Sequence, residues 1–439
     1  MVNFFDRKLS TFILLFSLPL LLLPKINIIS LGSETAGLRI DDFFLFLFGA
    51  LFFFCHTLLR KPLYKIEGWI LTLTVFSIIS FLSNRVLVSA GSLHMDAKIF
   101  YAVRLLEYFL FFYLGALAFR FDCGKLLIKI FFIWNFLLMT LQKLNLAGGV
   151  SIAGYSEDVS TRVQGIASFP SEMGLLLNLL FCYMLYNPTE SRLINLFTSP
   201  LARHVLRKSY PYFLFALFGI FVVFTGNRIS IVALCVCFLG KIKEEFSWKT
   251  NGSILFAFII IPLVIGSVGF FITQTDAVYS RSLSLLSMKN VELAEIVWDK
   301  IDMKKNPVGN EVIESNEFDM SWWMRIHKWV YVVKVFVTHP EAYLQGLGPG
   351  FAWSALDGGI LRIIVEYGLI GTVLFWNFFA SIYRINRQLK WMTIAFAINM
   401  IFFDAYLAYK TMSFFFFAAG LEYESARREE KHELLLKVY

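Results

Sequence analysis

The stretch SALDGGILRIIVEYGLIGTVLFWNFF, residues 354–379, has the length and composition of a membrane span but carries three ionisable side chains near its start. A helix needs roughly 17 to 25 mostly apolar residues to cross the hydrocarbon core of a bilayer. Asp357, Arg362 and Glu366 interrupt an otherwise apolar segment. Ionisable side chains at membrane depth are costly and are candidates for function by default. The stretch therefore predicts a membrane protein with a polar site where this span begins.

The rest of the chain has the composition of a protein that crosses the membrane many times. Of its 439 residues, 58% are hydrophobic, 18% aromatic and 16% charged, and the mean hydropathy is +0.66. Soluble domains carry about 25% charged residues. The formal net charge of +8 is not gathered in a basic block on a soluble domain, which argues against nucleic-acid binding. We therefore expect an all-α fold whose surface contacts membrane lipids.

Windows of suitable length predict about twelve membrane spans. They lie near residues 9–24, 41–58, 67–84, 100–119, 126–143, 172–187, 210–226, 229–241, 252–273, 359–380, 391–408 and 411–424. This pattern divides the chain into four parts. They are a first transmembrane bundle over 1–273, a long outer loop over 274–358, a second transmembrane bundle over 359–424 and a tail over 425–439.

The positions of Lys and Arg predict the orientation of these spans. Basic residues of short loops favour the cytoplasmic side of a membrane, and here they fall on alternate connections. The basic connections include Arg7 and Lys8, Arg60 and Lys61, Arg120 and Lys125, Arg203 and Arg207, Lys241 and Lys243, Arg384 and Arg387, and Arg427 and Arg428. Both termini are therefore predicted to be cytoplasmic, and the loop over 274–358 is predicted to lie on the outer side.

The outer loop contains one segment with helical periodicity, SWWMRIHKWVYVVKVFVTHP, residues 321–340. Apolar residues recur in it at intervals of three and four, which predicts an amphipathic helix at the membrane surface. Arg325 lies at the polar edge of this helix. Pro340 and the sequence GLGPG at 346–350 are predicted to end it.

Arginines gather on the predicted outer side, two of them with a glutamate one helical turn away. Guanidinium groups keep their charge and present a planar fork that matches phosphate. The pattern therefore predicts an anion site at the outer face, where a lipid-linked diphosphate is the expected anion. The residues concerned are Arg104 with Glu107, Arg162, Arg228, Arg325, and Arg362 with Glu366.

Three motifs resemble the O-antigen ligase and polymerase family. RVQGIASFPSEMGLLL, residues 162–177, is similar to the Arg, Gly and Pro pattern that precedes a middle span in that family. TGNRISIVAL, residues 225–234, is similar to its Gly-Ser-Arg-Thr-Ala element. Residues 325–371 are similar to its terminal pattern of Arg, Trp, Pro, Gly-x-Gly and E-x-GLIG, and GLRIDD at 37–42 resembles an early loop.

The resemblance implies a metal-independent glycosyltransferase without a cofactor, which uses undecaprenyl-diphosphate-linked oligosaccharide at the periplasmic face of a bacterial inner membrane. Arginines would stabilise the charge that develops on the departing lipid diphosphate. Asp357 or Glu366 would accept the proton of the attacking hydroxyl. A regulator of polysaccharide chain length is a further expected partner. The diphosphate-binding candidates are Arg228, Arg325, Arg162, Arg362 and Arg104.

One departure from the family favours a polymerase over a ligase. Ligases of the family carry a His-Asn pair just before the span that follows the long loop, whereas Asp357 and Gly358 stand there in this chain. A ligase that transfers glycan to lipid A core stays an alternative, because His327 or His339 would supply a base or a sugar contact. A non-enzymatic transporter of lipid-linked glycan is the second alternative.

Each candidate also has a structural interpretation. The pairs Arg104–Glu107 and Arg362–Glu366 have the spacing of internal ion pairs on a helix. Asp357 has the chemistry of a helix cap. We therefore expect Arg362 to pair with Glu366 and Asp357 to be free to meet the acceptor hydroxyl.

Overall fold

A computed structural model describes residues 2–24, 27–33, 36–39, 65–149, 159–186, 200–245, 289–305, 320–352 and 355–438. Two predicted spans, 41–58 and 252–273, lie outside the described residues, as do residues 274–288 and 306–319 of the predicted outer loop. The described helices are α1 (Val2–Leu22), α2 (Lys65–Ser89), α3 (Ile99–Arg120), α4 (Gly124–Lys143), α5 (Pro170–Leu185), α6 (Pro200–Thr225), α7 (Arg228–Glu245), α8 (Lys289–Lys300), α9 (Met320–Thr338), α10 (Gly359–Tyr383), α11 (Arg387–Asn399) and α12 (Tyr409–Val438).

Four helices in the described ranges are long and apolar enough to cross a membrane, which identifies a membrane protein. They are Ile66–Ser89, Ile99–Arg120, Gly124–Lys143 and Gly359–Tyr383. Pro170–Leu185 and Tyr210–Thr225 are shorter apolar helices.

The described residues are mostly helical, in agreement with the predicted all-α fold class, apart from one short antiparallel hairpin of β1 (Asn27–Ser33) and β2 (Ala36–Arg39). The structure corrects the sequence prediction at one place. The predicted span 391–408 is not one continuous helix, because α11 ends at Asn399 and a short 3-10 turn, Ala405–Leu407, follows it. At 1.5 Å per residue, a helix of 13 residues is about 20 Å long, less than the hydrocarbon core of about 30 Å.

The main core is formed by α3, α5, α10, α11 and α12, with many phenylalanines in contact. α3 and α12 approach most closely at two glycines. A Cβ atom at Gly115 would overlap the backbone of Phe417, and one at Gly420 would overlap the backbone of Phe112. Small residues allow helix backbones to approach in this way within membranes. This close contact holds α12 against α3. It thereby positions the turn Ala405–Leu407, which directly precedes α12.

A second hydrophobic cluster joins α8 and α9 to the segment that precedes α10. Val297 of α8, Val330 and Tyr331 of α9 and Phe351 of the segment are all buried in it. We call the end of the bundle where α10 begins, and against which α9 packs, the loop end. The second cluster places the first turns of α9 beside the entry of α10.

α10 is broken at Gly368, whose backbone angles are φ 64° and ψ −168°. The neighbouring segment Tyr343–Gly348 bonds to the backbone on both sides of the break. The N–H groups of Leu347 and Gly348 donate to the carbonyls of Val365 and Glu366 at 2.8 and 3.0 Å, and the N–H of Leu369 donates to Tyr343 at 2.9 Å. Backbone groups of a broken span need such partners, since lipid offers none. The loop segment and α10 therefore form one unit.

Candidate functional site

Arg362 and Glu366 form a fully buried ion pair in the first turns of α10. Nε of Arg362 donates to Oε1 of Glu366 at 3.0 Å, and neither side chain is exposed. Their spacing of four residues places both on one helix face. The predicted pairing of these two residues is confirmed.

Asp404 is a third member of this cluster, and we missed it in the sequence. Its carboxylate accepts from Nη1 of Arg362 at 2.9 Å. It also accepts the N–H groups of Leu356 at 2.7 Å and Gly358 at 3.3 Å. A carboxylate inside the apolar window 391–408 was the available signal, because such residues are functional candidates at membrane depth.

Neighbouring groups also contact the second carboxylate oxygen of Glu366 and the guanidinium of Arg362. Oε2 of Glu366 accepts from the hydroxyl of Tyr406 at 3.1 Å, and Oε1 also accepts the N–H of Ala352 at 3.0 Å. The ring of Tyr101 lies 5.4 Å from Cζ of Arg362, a cation–π contact. Buried charges are tolerated when they are paired and fully hydrogen-bonded. Glu366 is thus held by several donors away from solvent, and this geometry favours a structural role for it over that of a base.

The GLGPG segment covers this cluster in a conformation that needs glycine. Gly348 and Gly350 have φ values of +95° and +80°, in the left-handed region. A Cβ atom at Gly348 would lie 2.7 Å from Cβ of Asn84, and one at Gly350 would lie 2.9 Å from the ring of Tyr101. The loop therefore lies close against α2 and α3 and brings the N–H of Ala352 to Glu366.

Arg325 and Asp357 form a second, partly exposed ion pair at the loop end. Nε of Arg325 donates to Oδ2 of Asp357 at 3.0 Å, and the two side chains are 32% and 35% exposed. The prediction that Asp357 is unpaired is therefore wrong. Asp357 also has a φ of +56°, which is uncommon outside glycine although Asp tolerates it better than most residues.

α9 is fixed on the turn that carries Asp357 by two further hydrogen bonds. Nε1 of Trp329 donates to the carbonyl of Leu356 at 3.0 Å, and Nζ of Lys328 donates to the carbonyl of Ala355 at 2.9 Å. On the other side of the same turn, Asp404 accepts the N–H groups of Leu356 and Gly358. The turn is held from both sides, and the carboxylate of Asp357 stays at the partly exposed surface.

The structure brings Arg162 to the turn that precedes Arg228. Nε of Arg162 donates to the carbonyl of Thr225 at 3.3 Å, and the N–H of Val163 donates to Phe224 at 3.0 Å. Arg228 is the first residue of α7. Two of the three sequence motifs are thus neighbours in space.

This region connects to the first cluster through α11. The hydroxyl of Ser230 donates to Oδ1 of Asn399 at 2.7 Å, and Asn399 is the last residue of α11. Asp404 follows a few residues later and bonds Arg362. The end of α11 is therefore bonded to Ser230, two residues after Arg228, and the segment that follows α11 is bonded to Arg362.

Arg104 and Glu107 form an ion pair of 2.9 Å on α3, with both side chains about one-fifth exposed. The structural interpretation of this pair as an internal one is confirmed. Nδ1 and Nε2 of His339 each lie 2.7 Å from a backbone carbonyl, of Val335 and Ser92. His339 thus ties the end of α9 to the turn that follows α2, which leaves neither ring nitrogen placed to act as a base.

His327 is buried on α9, with Nδ1 3.0 Å from the carbonyl of Trp323. Burial lowers the pKa of this imidazole below its ordinary value of 6.5. The ring is therefore neutral near pH 7.

Glu172 and Lys410 are two more buried ionisable residues that we did not predict. The carboxylate of Glu172 accepts the N–H groups of Ser168 at 2.9 Å and Lys410 at 2.8 Å. Nζ of Lys410 donates to the carbonyl of Leu20 at 2.9 Å. A carboxylate at the first turn of α12 is favourable, because helix N-termini carry partial positive charge. These contacts tie the first motif, residues 162–177, to α1 and α12.

Comparison with known proteins gives no match, either to a family model or to a curated protein.

Proposed function

We propose that this chain polymerises oligosaccharide repeat units carried on undecaprenyl diphosphate, at the outer face of the bacterial inner membrane. The observation that carries the proposal is the partly exposed Arg325–Asp357 pair, held where α9 meets the start of α10. It combines a diphosphate-binding side chain with a carboxylate at the surface of a membrane bundle. The family resemblance of residues 325–371 supplies the reaction class.

The pair is suited to an exchange of partners when the donor binds. An ion pair that is about one-third exposed contributes only about 0.2–1 kcal/mol. A diphosphate offers more charge and more acceptor atoms to the guanidinium fork of Arg325. Binding of the donor would therefore release the carboxylate of Asp357 for the acceptor hydroxyl.

The transfer step then follows from these two groups. The hydroxyl of the acceptor repeat attacks the anomeric carbon of the donor's reducing-end sugar, and its proton passes to Asp357. The bond between that carbon and the diphosphate oxygen breaks. Undecaprenyl diphosphate leaves with the electron pair, and Arg325 stabilises its charge. Arg228 and Arg162 are further candidates for contact with the diphosphate.

Deletion in the native host, followed by gel analysis of the surface polysaccharide, tests the proposal. A polymerase defect gives single repeats on lipid A core. A ligase defect removes all glycan from that core while lipid-linked polymer accumulates, and this pattern would move the assignment to the ligase.

Complementation then tests the role of Arg325. Arg325→Lys keeps the charge and loses the fork, so we expect it to restore little polymer. The matched control is Arg85→Lys, because Arg85 forms an ion pair of 3.0 Å with Asp96 that is more exposed. If both variants restored polymer equally well at equal protein levels, Arg325 would not be the side chain that binds the diphosphate.

A transporter of lipid-linked glycan is the second candidate, favoured by one feature of the helices. α10 is broken at Gly368, and discontinuous helices often form the substrate sites of transporters. In a transporter deletion, single lipid-linked repeats would stay on the cytoplasmic face, protected from an impermeant sugar-oxidising reagent. In a polymerase deletion they reach the outer face and react.

A further inference from the structure

The first turns of α9 carry buried ring nitrogens without hydrogen-bond partners. They are Nε1 of Trp322, Nε1 of Trp323 and Nε2 of His327. Buried polar groups are hydrogen-bonded in the great majority of cases, so an exception needs an explanation. Here the exceptions lie within six consecutive residues of the helix that also carries Arg325.

Two of these nitrogens form a matched donor and acceptor. Nδ1 of His327 lies 3.0 Å from a backbone carbonyl, which only accepts, so Nδ1 carries the hydrogen and Nε2 presents a lone pair. The indole nitrogen of Trp323 only donates. The two rings are in contact, with centroids 4.0 Å apart. The N–H donor and the lone pair therefore belong to neighbouring rings.

This combination selects among chemical groups. A hydroxyl group both accepts and donates, so one hydroxyl that reaches both nitrogens would satisfy Trp323 and His327 together. A phosphate or carboxylate oxygen would accept from Trp323 but would repel the lone pair of His327. An ammonium group would donate to His327 and leave Trp323 without an acceptor. The pair therefore fits a neutral alcohol.

We propose that Trp323 and His327 form a subsite for a hydroxyl group of a sugar in the repeat unit. This inference rests on the proposed function. The aromatic ring of Trp323 also offers a flat apolar face of the kind that sugar rings stack against. At 100° per residue, positions 323 and 327 lie on a different flank of α9 from Arg325. A helix with its side chains is about 10–12 Å wide, so the subsite contacts a sugar that is not the reacting one.

The test is binding of a defined glycan to the full chain in lipid nanodiscs. The probe is the oligosaccharide released by mild acid from the surface polysaccharide of the native host, and calorimetry gives its Kd. Trp323→Phe and His327→Phe keep an aromatic ring and remove one nitrogen each. We expect each variant to weaken binding about tenfold, the equivalent of about 1.4 kcal/mol.

The matched control is Trp298→Phe on the neighbouring helix α8, because the side chain of Trp298 is exposed. This variant should bind the glycan as the unchanged chain does. Unchanged affinity in both test variants overturns the subsite. Inorganic pyrophosphate is the second probe. If the same variants weaken the binding of pyrophosphate but not of the glycan, the ligand of this subsite is an anion and not a hydroxyl group.

Thermal unfolding without glycan gives an independent readout. His327→Phe removes a buried unpartnered lone pair and the hydrogen bond of Nδ1 to Trp323. That carbonyl lies four residues earlier in the same helix and keeps its backbone partner, so the substitution should raise the unfolding temperature while it weakens glycan binding. A lower unfolding temperature with unchanged binding would mean that His327 is only structural.

The two proposals fail separately. If Trp323 and His327 bind the glycan but the deletion strain shows the transporter pattern, the subsite proposal stands and the polymerase proposal is rejected. A polymerase whose repeat binding ignores both variants keeps its function and loses the subsite.

Discussion

Asp357 is the side chain whose replacement best separates a chemical role from a structural one. Asn at this position tolerates the left-handed backbone and keeps the shape of the side chain, but it cannot take up a proton. General bases contribute about 10²–10⁴-fold to rate. We expect Asp357→Asn to reduce polymerisation by at least about a hundredfold, measured with purified protein and lipid-linked repeats.

The control for that prediction is Asp96→Asn, which alters the other exposed Arg–Asp pair near the loop end. Unfolding temperatures of both variants should stay close to that of the unchanged chain, because exposed ion pairs contribute little. If Asp357→Asn made polymer at the normal rate, Asp357 would have only a structural role in the turn and would not be the base.

Replacement of Glu366 or Asp404 should have the opposite effect from replacement of Asp357: it should lower the amount of folded protein. Glu366→Gln or Asp404→Asn leaves the buried guanidinium of Arg362 with one carboxylate instead of two. The charge of the guanidinium stays balanced, but a buried charge-assisted hydrogen bond is weakened, which costs about 1.5–3 kcal/mol. Fluorescence-detected size exclusion should show a marked loss of monodisperse protein. Glu107→Gln, in a half-buried pair, is the milder comparison.

His327 should make stability depend on pH. Its pKa is lowered by burial in the folded chain, whereas the unfolded chain keeps the ordinary value of 6.5. Below pH 6.5 the unfolded state therefore binds more protons, and the free energy of unfolding falls as pH falls towards the folded pKa. The contribution is at most about 1.4 kcal/mol per pH unit.

His327→Phe removes this contribution, so its unfolding temperature should drop less between pH 7.5 and pH 5.5 than that of the unchanged chain. His94→Phe, a change at an exposed histidine, is the control. Identical drops in all three proteins would mean that His327 titrates alike in the folded and unfolded states.

Among the secondary-structure elements, the GLGPG segment should be sensitive to one added methyl group. A Cβ atom at Gly348 meets Cβ of Asn84 and Cβ of Ala97 at 2.7 and 2.8 Å, in addition to the strain of its φ. Gly91 has a similar φ of +74° but open space around it. Gly348→Ala should therefore destabilise the chain by about 1–3 kcal/mol more than Gly91→Ala. Thermal unfolding in detergent measures the difference.

Features of the site that depend on nearby residues could be predicted from the sequence. The Arg362–Glu366 and Arg104–Glu107 pairs follow from spacings of four and three on a helix. α9 was predictable because its apolar residues recur with helical periodicity and Pro340 follows it. Span windows located most helices for the same reason.

Features that depend on distant residues could not be predicted in this way. Asp404 reaches Arg362 from 42 positions away, and Arg325 reaches Asp357 from 32 positions away. The break at Gly368 stands only because Tyr343–Gly348 supplies backbone partners. A single glycine in an apolar window does not reveal such a partner, so the sequence predicted an unbroken span there.

For the chain as a whole, the proposed reaction requires that the loop end lies on the outer side of the membrane, and this orientation can be tested directly. Single cysteines at His94 and Lys304 should react with an impermeant thiol reagent in cells with a permeable outer barrier, because both exposed residues lie on the predicted outer side. Cysteines at Lys125 and Arg384 should be protected. The reverse pattern would move the loop end to the cytoplasm and exclude the proposed reaction.

The arrangement around Arg362 also bears on how the chain enters the membrane during synthesis. The ribosome completes Glu366 almost at once after Arg362, but it adds Asp404 only 42 positions later. At first the nascent α10 therefore carries an arginine and a glutamate whose charges cancel within one turn of helix. Such a segment is easier to pass into lipid than one with an unmatched charge. The nearby partner eases insertion, and the distant one, arriving with the end of α11, fixes the inserted helix to the rest of the bundle.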